Sequence, residues 1–227
     1  MIQQNLQSVS NRIQQACLRH QRAADAVRLL AVSKTFGPEA VREGLAAGQR
    51  AFGENYVQEA LDKIAALADV RAQLEWHLIG PLQSNKTRVV AEAFDWVQSV
   101  DRLKIAQRLS EQRPADRPPL QVLIQVNTSG EDSKSGVAPD EVAALAQAVA
   151  ALPRLRLRGL MALPAPATDD AAQRAAHRRL KAMFEQVVAE TGLPLDTLSM
   201  GMSADLEAAI AEGSTMVRVG TAIFGTR

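Results

Sequence analysis

The sequence predicts an α/β fold, a closed (β/α)8 TIM barrel with an extra N-terminal helix. Eight short apolar runs alternate with segments of helical periodicity, as is typical of parallel strands joined by helical crossovers. Eight is also the number of strands that closes this barrel. An open doubly wound sheet is the alternative. Because no obvious interdomain linker interrupts the pattern, we expect residues 1–227 to form a single domain.

The elements follow in order along the chain. A first helix is predicted over residues 3–24, where Leu6, Val9, Ile13 and Ala16 recur at helical spacing. It lies outside the repeats and could cover the barrel or meet a partner. Apolar stripes within residues 57–68 and 172–187 indicate two of the crossover helices. The eight strands are predicted over residues 28–34, 51–55, 75–80, 95–100, 120–127, 157–163, 197–202 and 216–220.

Composition excludes several classes of protein. A net charge of +1 gives no field that favours nucleic acid or an anionic membrane. No apolar run approaches the roughly 18 residues that span a bilayer, and the N-terminus lacks a signal-peptide core. A single cysteine, Cys17, cannot form an internal disulfide, and the three histidines lack zinc spacing. We therefore expect a soluble, cytoplasmic protein without a metal site.

Barrel active sites lie at the C-terminal ends of the strands, and this rule selects candidate residues. Lys34 ends the first strand, where an amine withdrawn from water becomes a candidate Schiff-base nucleophile. A snorkelling lysine is the simpler reading. The same rule selects Asn55 after the second strand and His77 in the third.

The loops after strands seven and eight resemble an anion site. Barrels often hold phosphate there. Met202 and Ser203 lead into a helix with Ser203 as its expected N-cap, and Gly220 and Thr221 follow the last strand. Two capped turns without a ligand would give the same pattern.

Arg218 lies between two valines of the last strand, so its side chain should point into the barrel. A buried guanidinium needs an acceptor. That acceptor could be a pyridine nitrogen, or Arg218 could form a salt bridge with Glu54 or Asp101. An amine, a ring-nitrogen partner and an anion site together fit pyridoxal phosphate (PLP).

Six segments then resemble the pyridoxal phosphate homeostasis protein family. They cover almost the whole chain in order: residues 30–35, 52–56, 76–86, 133–136, 198–203 and 218–225. The resemblance implies a barrel similar to the N-terminal domain of alanine racemase, with PLP held as an internal aldimine on Lys34. It implies that Asn55 lies near the ring substituents and His77 plays a supporting role on the rim.

The same resemblance places the phosphate and the ring nitrogen. Ser203, next to Met202, and the turn of Gly220 and Thr221 would hold the phosphate, and Arg218 would face the ring nitrogen. Lys134 matches a family lysine that could form a second, weaker contact with cofactor or partner. A solvated loop lysine is the alternative for that position.

The family implies a monomeric carrier or buffer of PLP that supplies apo PLP-dependent enzymes, without strong turnover. An amino-acid racemase is the first alternative. Alanine racemase uses a tyrosine from a further β-domain, and we expect that domain to be absent because the sequence ends at Arg227. Tyr56, the single tyrosine, is expected to pack. A Schiff-base aldolase without cofactor is the second alternative.

Overall fold

The computed structural model describes residues 1–129 and 135–226. Eight parallel strands form a closed barrel in sequence order, because β8 pairs with β1 and Arg218 lies in register with Leu30. The closed barrel is confirmed, and the open sheet is excluded. The strands are β1 Arg28–Val32, β2 Ala51–Glu54, β3 Glu75–Leu78, β4 Trp96–Val100, β5 Leu120–Gln125, β6 Leu155–Met161, β7 Thr197–Ser199 and β8 Met216–Val219.

Helices cover the outside of this barrel. They are α1 Ile2–Arg19, α2 Pro38–Ala46, α3 Val57–Ala66, α4 Thr87–Ala93, α5 Leu103–Gln112, α6 Val142–Ala150, α7 Asp170–Thr191, α8 Leu206–Ala211 and α9 Thr221–Phe224. Short 3-10 turns span Ala68–Gln73, Ser84–Lys86 and Pro139–Glu141. Within the described ranges, no helix combines the length and the apolar character needed to cross a bilayer.

Several of the observed strands and helices are shorter than predicted. Most strands end before the predicted residue, β7 at Ser199 rather than at 202. The apolar runs continue past the last paired residue because the loops at this end of the barrel are themselves partly buried. Helix α1 ends at Arg19 rather than at 24, since Gln21 takes a left-handed conformation (φ 56°).

Helix α1 covers the side of the barrel where the first and last strands meet. Its buried face presents Leu6, Val9 and Ile13 to the main core, and it packs beside α2, α8 and α9. Arg12 fixes the helix through a bond of 2.8 Å to Glu207 of α8. Burying each such aliphatic side chain stabilises the fold by about 1.5–3 kcal/mol.

The apolar core has two parts. The larger lies between the strands and the helices, while the barrel interior holds two small clusters. One is built on Leu30, Val32 and Met216, and the other on Trp96, Leu123 and Met161. Buried polar side chains, among them His77, Gln98 and Ser199, also lie within the barrel.

Candidate functional site

A cavity of about 370 Å³ opens at the C-terminal end of the barrel. Every predicted site residue except His77 lies on its wall, so the structure brings seven of the eight together. Those seven are Lys34, Asn55, Met202, Ser203, Arg218, Gly220 and Thr221, beside Val32, Ile79, Leu163 and Ala204.

Lys34 follows β1 directly, and its side chain reaches the cavity from an exposed position. The expectation of an amine withdrawn from water was therefore wrong for the free protein, because β1 ends at Val32 and the chain turns outward at Thr35 (φ 71°). No described residue forms an ion pair or a hydrogen bond with the Lys34 amine. The amine is thus free to react with a ligand in the cavity.

A buried ion-pair network lies directly beneath this turn. Lys63 of α3 bonds Glu54 at 2.8 Å, Glu59 at 2.7 Å and the Ser33 carbonyl oxygen at 2.7 Å. The Ser33 hydroxyl donates to Glu54 at 2.6 Å. Burial raises the pKa of Glu54, and the bonds from Lys63 and Ser33 oppose that rise. Since Ser33 precedes Lys34 and Glu54 precedes Asn55, this network fixes both backbones behind the cavity.

Sequence reasoning missed the network. One signal was present, because Lys63 is one position before Ile64 and three after Ala60 on the predicted apolar stripe. A lysine on the buried face of a helix requires an acidic partner.

Asn55 brings an unsatisfied acceptor to the cavity. Its Oδ1 atom is buried and has no hydrogen-bond partner in the described part of the chain. Gly80 holds the Asn55 backbone from behind, because a Cβ atom there would lie 2.1 Å from the Asn55 carbonyl oxygen. A buried amide oxygen without a partner is costly, so a bound ligand is its natural complement.

The loop that follows β7, predicted to form part of an anion site, differs from the prediction in one respect. Ser203 is not a helix N-cap; α8 begins at Leu206, and Asp205 occupies the N-cap position. The Asp205 carboxylate accepts from the Met202 N–H at 2.7 Å and from His177 at 2.9 Å, which shapes the turn instead. Burial opposes ionisation of Asp205, yet these two bonds lower its pKa.

The Ser203 hydroxyl is consequently available to the cavity. Thr221 Oγ1 donates to it at 3.3 Å, so two hydroxyls from the two predicted loops meet at one place. Gly201 allows the first loop to turn sharply: it has φ +99°, and a Cβ atom would lie 2.5 Å from the Cβ of Ala209. Hydroxyls and helix-start N–H groups are the donors that bind phosphate.

Arg218 is buried, and its side chain points into the barrel as predicted. Its guanidinium donates to Ser199 Oγ at 2.7 Å and to the Ala162 carbonyl oxygen at 2.8 Å. The alternative salt bridge was wrong, because Glu54 is bound by Lys63 and Asp101 by Arg102. Burial lowers the pKa of Arg218 to about 10. The guanidinium keeps its charge at neutral pH and has further N–H groups to offer a ligand.

His77 does not lie on the rim. It is fully buried in the barrel interior, where it contacts Glu75 Oε1 at 2.6 Å and Gln98 at 2.9 Å and stacks on Trp96. Ile79, two residues later on the same face of the chain, occupies the cavity wall instead. Burial lowers the pKa of His77, although Glu75 opposes this.

Two further expectations have distinct outcomes. Tyr56 is 59% exposed, so the packing role expected for it was wrong. Lys134 lies outside the described residues. Among the residues that are described, no group of three or more His, Cys, Asp or Glu side chains could hold a metal ion.

A closed parallel barrel with an amine, a guanidinium and paired hydroxyls at its C-terminal end defines a class, that of the alanine racemase N-terminal domain. The profile of this domain matches residues 4–227. The chain is 61% identical to the pyridoxal phosphate homeostasis protein of Pseudomonas aeruginosa, covering 100% of this chain and 96% of the relative. It is 56% identical to the protein of that name from Escherichia coli K12, covering 100% and 97%.

A solved structure adds a ligand-bound relative. PipY of Synechococcus elongatus, with PLP bound, superposes with a TM-score of 0.86 at 38% identity, covering 99% of this chain and 100% of PipY. The chain belongs to the pyridoxal phosphate homeostasis protein family.

Proposed function

We propose that this protein binds PLP in the cavity at the C-terminal end of the barrel, covalently through Lys34, and acts as a carrier or buffer of the cofactor. The observation that carries the proposal is that two cations line the same cavity. Neither Lys34 nor Arg218 forms an ion pair with a carboxylate of the described residues, and both line the cavity. A phosphorylated aldehyde would complement a cavity whose described wall carries two cations and no carboxylate.

The residues present fit each part of the cofactor. The Lys34 amine would condense with the aldehyde to form a Schiff base, with loss of water. The hydroxyls of Ser203 and Thr221 would hold the phosphate, and Asn55 Oδ1 would accept a bond near the ring substituents. Arg218 would face the ring nitrogen, and Met202 would close the side of the cavity.

The residues of the cavity favour binding of PLP over PLP-dependent catalysis. PLP supplies an electron sink to its enzymes when its ring nitrogen is protonated. Arg218 stays protonated at neutral pH and offers that nitrogen only a hydrogen bond. Two-base racemisation also needs a second proton donor, and Lys34 is the only side chain on the described wall suited to act as a base. We therefore infer a monomeric carrier that delivers PLP to apo enzymes, with racemisation as the alternative.

An absorbance titration of the purified apoprotein with PLP tests the proposal. We expect a visible band that saturates with one PLP per chain and is lost in Lys34→Ala. Lys86→Ala is the matched control, since Lys86 lies on the wall of the neighbouring cavity beside Asn55 and should leave the band unchanged. Retention of the band in Lys34→Ala would move the attachment to another lysine.

A second assay separates the carrier from the alternatives. The loaded protein should reactivate an apo PLP-dependent enzyme without exchanging the α-proton of added amino acids. Rapid α-proton exchange would instead identify a racemase-like enzyme. A colourless protein that gains no band with PLP would favour the cofactor-free aldolase.

A further inference from the structure

A continuous chain of polar contacts crosses the barrel interior from Arg218 to the opposite end. Arg218 Nη1 donates to Ser199 Oγ at 2.7 Å, and Ser199 Oγ donates to Gln98 Oε1 at 2.7 Å. Gln98 Nε2 contacts His77 Nδ1 at 2.9 Å, and His77 Nε2 contacts Glu75 Oε1 at 2.6 Å. Glu75 ends the chain in an ion pair of 2.8 Å with Arg28.

The chemistry of the two ends fixes the direction of every bond. The Glu75 carboxylate only accepts, so the His77 proton lies on Nε2 and His77 Nδ1 accepts from the Gln98 amide. The Gln98 carbonyl oxygen then faces Ser199, whose hydroxyl donates to it and accepts from Arg218. Moving the His77 proton to Nδ1 would leave Nε2 facing the carboxylate with no proton between them, and it would turn the Gln98 amide over and reverse its bond to Ser199.

The chain is isolated from solvent over most of its length. Ser199, Gln98 and His77 are all fully buried, and apolar clusters of the barrel interior lie around them. Gln98 Nε2 has one further neighbour, the Met216 sulfur at 3.2 Å. A fully satisfied buried network is stiff, because any member that moves leaves a partner unpaired. Its distant end is wetter, since Glu75 and Arg28 line a second cavity of about 580 Å³.

We propose that Ser199, Gln98 and His77 are positioning residues that hold the Arg218 guanidinium toward the ring nitrogen of bound PLP. The proposal rests on the proposed function, because it assigns these residues a task only when PLP occupies the cavity. None of the three lies on the cavity wall, so each acts through Arg218. The electronic state of the cofactor then depends on side chains that never touch it.

The test compares bound-PLP absorbance and fluorescence spectra and PLP affinity in a small set of variants. Ser199→Ala removes the first link, and we expect a shifted band and about fivefold to tenfold weaker PLP binding. Ser199→Thr retains a hydroxyl and should restore both. His77→Phe keeps a ring to stack on Trp96 but removes both nitrogens, and should shift the band in the same direction by a smaller amount.

Ser214→Ala is the matched control. Ser214 is also fully buried between β7 and β8, but its hydroxyl bonds only to backbone carbonyl oxygens of Leu198, Met200 and Met216 in the described chain. This variant should leave spectrum and affinity unchanged.

Two outcomes would contradict the positioning role proposed for Ser199, Gln98 and His77. The first is a folded Ser199→Ala protein whose spectrum and affinity match the wild type. The second is a His77→Phe protein with reduced stability and an unchanged spectrum, which would make the distant links purely structural. A wild-type protein that binds no PLP would contradict the proposed function itself, before any variant is compared.

Discussion

The two ends of the barrel both carry cavities lined by arginine or lysine, and they differ in whether carboxylates lie among those cations. At the N-terminal end two carboxylates line the cavity: Glu75 pairs with Arg28 at 2.8 Å, and Asp95 pairs with Arg71 at 2.9 Å. At the C-terminal end Lys34 and Arg218 line the cavity with no carboxylate among its described residues. The N-terminal cavity is the larger, about 580 Å³ against 370 Å³.

This difference shows that size does not identify the site. Carboxylates that line a cavity balance its cations and leave less attraction for an anionic ligand. A cavity lined by cations without a carboxylate attracts an anionic ligand instead. Two lysines make the same contrast over a short distance, because Lys63 is buried in ion pairs beneath the rim while Lys34 is exposed on it.

The largest stability loss is expected for Lys63→Met. The change leaves Glu54 buried without its cation, and we expect the free energy of unfolding at neutral pH to fall by about 3 kcal/mol. Urea denaturation measures this. Lys181→Met is the control, since the exposed pair of Lys181 and Glu185 should contribute about 0.5 kcal/mol or less. Equal losses in the two variants would contradict the importance of the buried pair.

The loss in the free energy of unfolding caused by Lys63→Met should be smaller at acidic pH. The folded pKa of Glu54 is raised by burial, and removing Lys63 raises it further. A raised folded pKa contributes stability below the unfolded pKa, and this contribution is lost as pH rises through the folded pKa. Repeating the denaturation from neutral pH down toward the usual range of glutamic acid should therefore bring variant and wild type closer together.

A smaller loss is expected from the N-terminal end. Asp95→Ala removes the bonds to Arg71 and to the Trp76 N–H, each between 2.8 and 2.9 Å. We expect the free energy of unfolding to fall by about 2 kcal/mol, with PLP affinity unchanged because Asp95 lies far from the rim. A weakened PLP titration would show that the two ends are not independent at this position.

The smallest effect on stability is expected for Arg218→Met. Removing this buried charge relieves its desolvation, and this offsets the loss of its bonds to Ser199 and to the Ala162 carbonyl oxygen, so the free energy of unfolding should change by about 1 kcal/mol or less. PLP affinity should fall by about tenfold or more. Arg113→Met is a useful control, since Arg113 is buried on bonds to three backbone carbonyl oxygens and its loss should cost stability without changing PLP affinity.

The fold could be read from the sequence because strand and helix periods alternate cleanly along the chain. The rule that barrel sites lie at the C-terminal strand ends then brought Lys34, Asn55, Ser203 and Arg218 to one cavity. Alternation of side chains along β8 was enough to point Arg218 inward.

The errors came from details that local pattern does not contain. Whether His77 lies on the rim or in the barrel interior depends on the stagger of neighbouring strands. The N-cap of α8 is Asp205 rather than Ser203 because the Asp205 carboxylate binds the Met202 N–H and shapes the preceding turn. The pair of Lys63 and Glu54 forms across a strand-to-helix connection. The exposure of Lys34 follows from the left-handed conformation of Thr35, which is not a residue type that predicts such a turn.

Borohydride reduction of the PLP-loaded protein, followed by peptide mapping, tests the central claim most directly. Reduction converts a Schiff base into a stable amine that survives proteolysis. We predict one modified peptide, with the pyridoxyl group on Lys34 and none on Lys63 or Lys86. A reduced adduct on another lysine, or no adduct at saturating PLP, would contradict the assignment of Lys34 and the account of the cavity built on it.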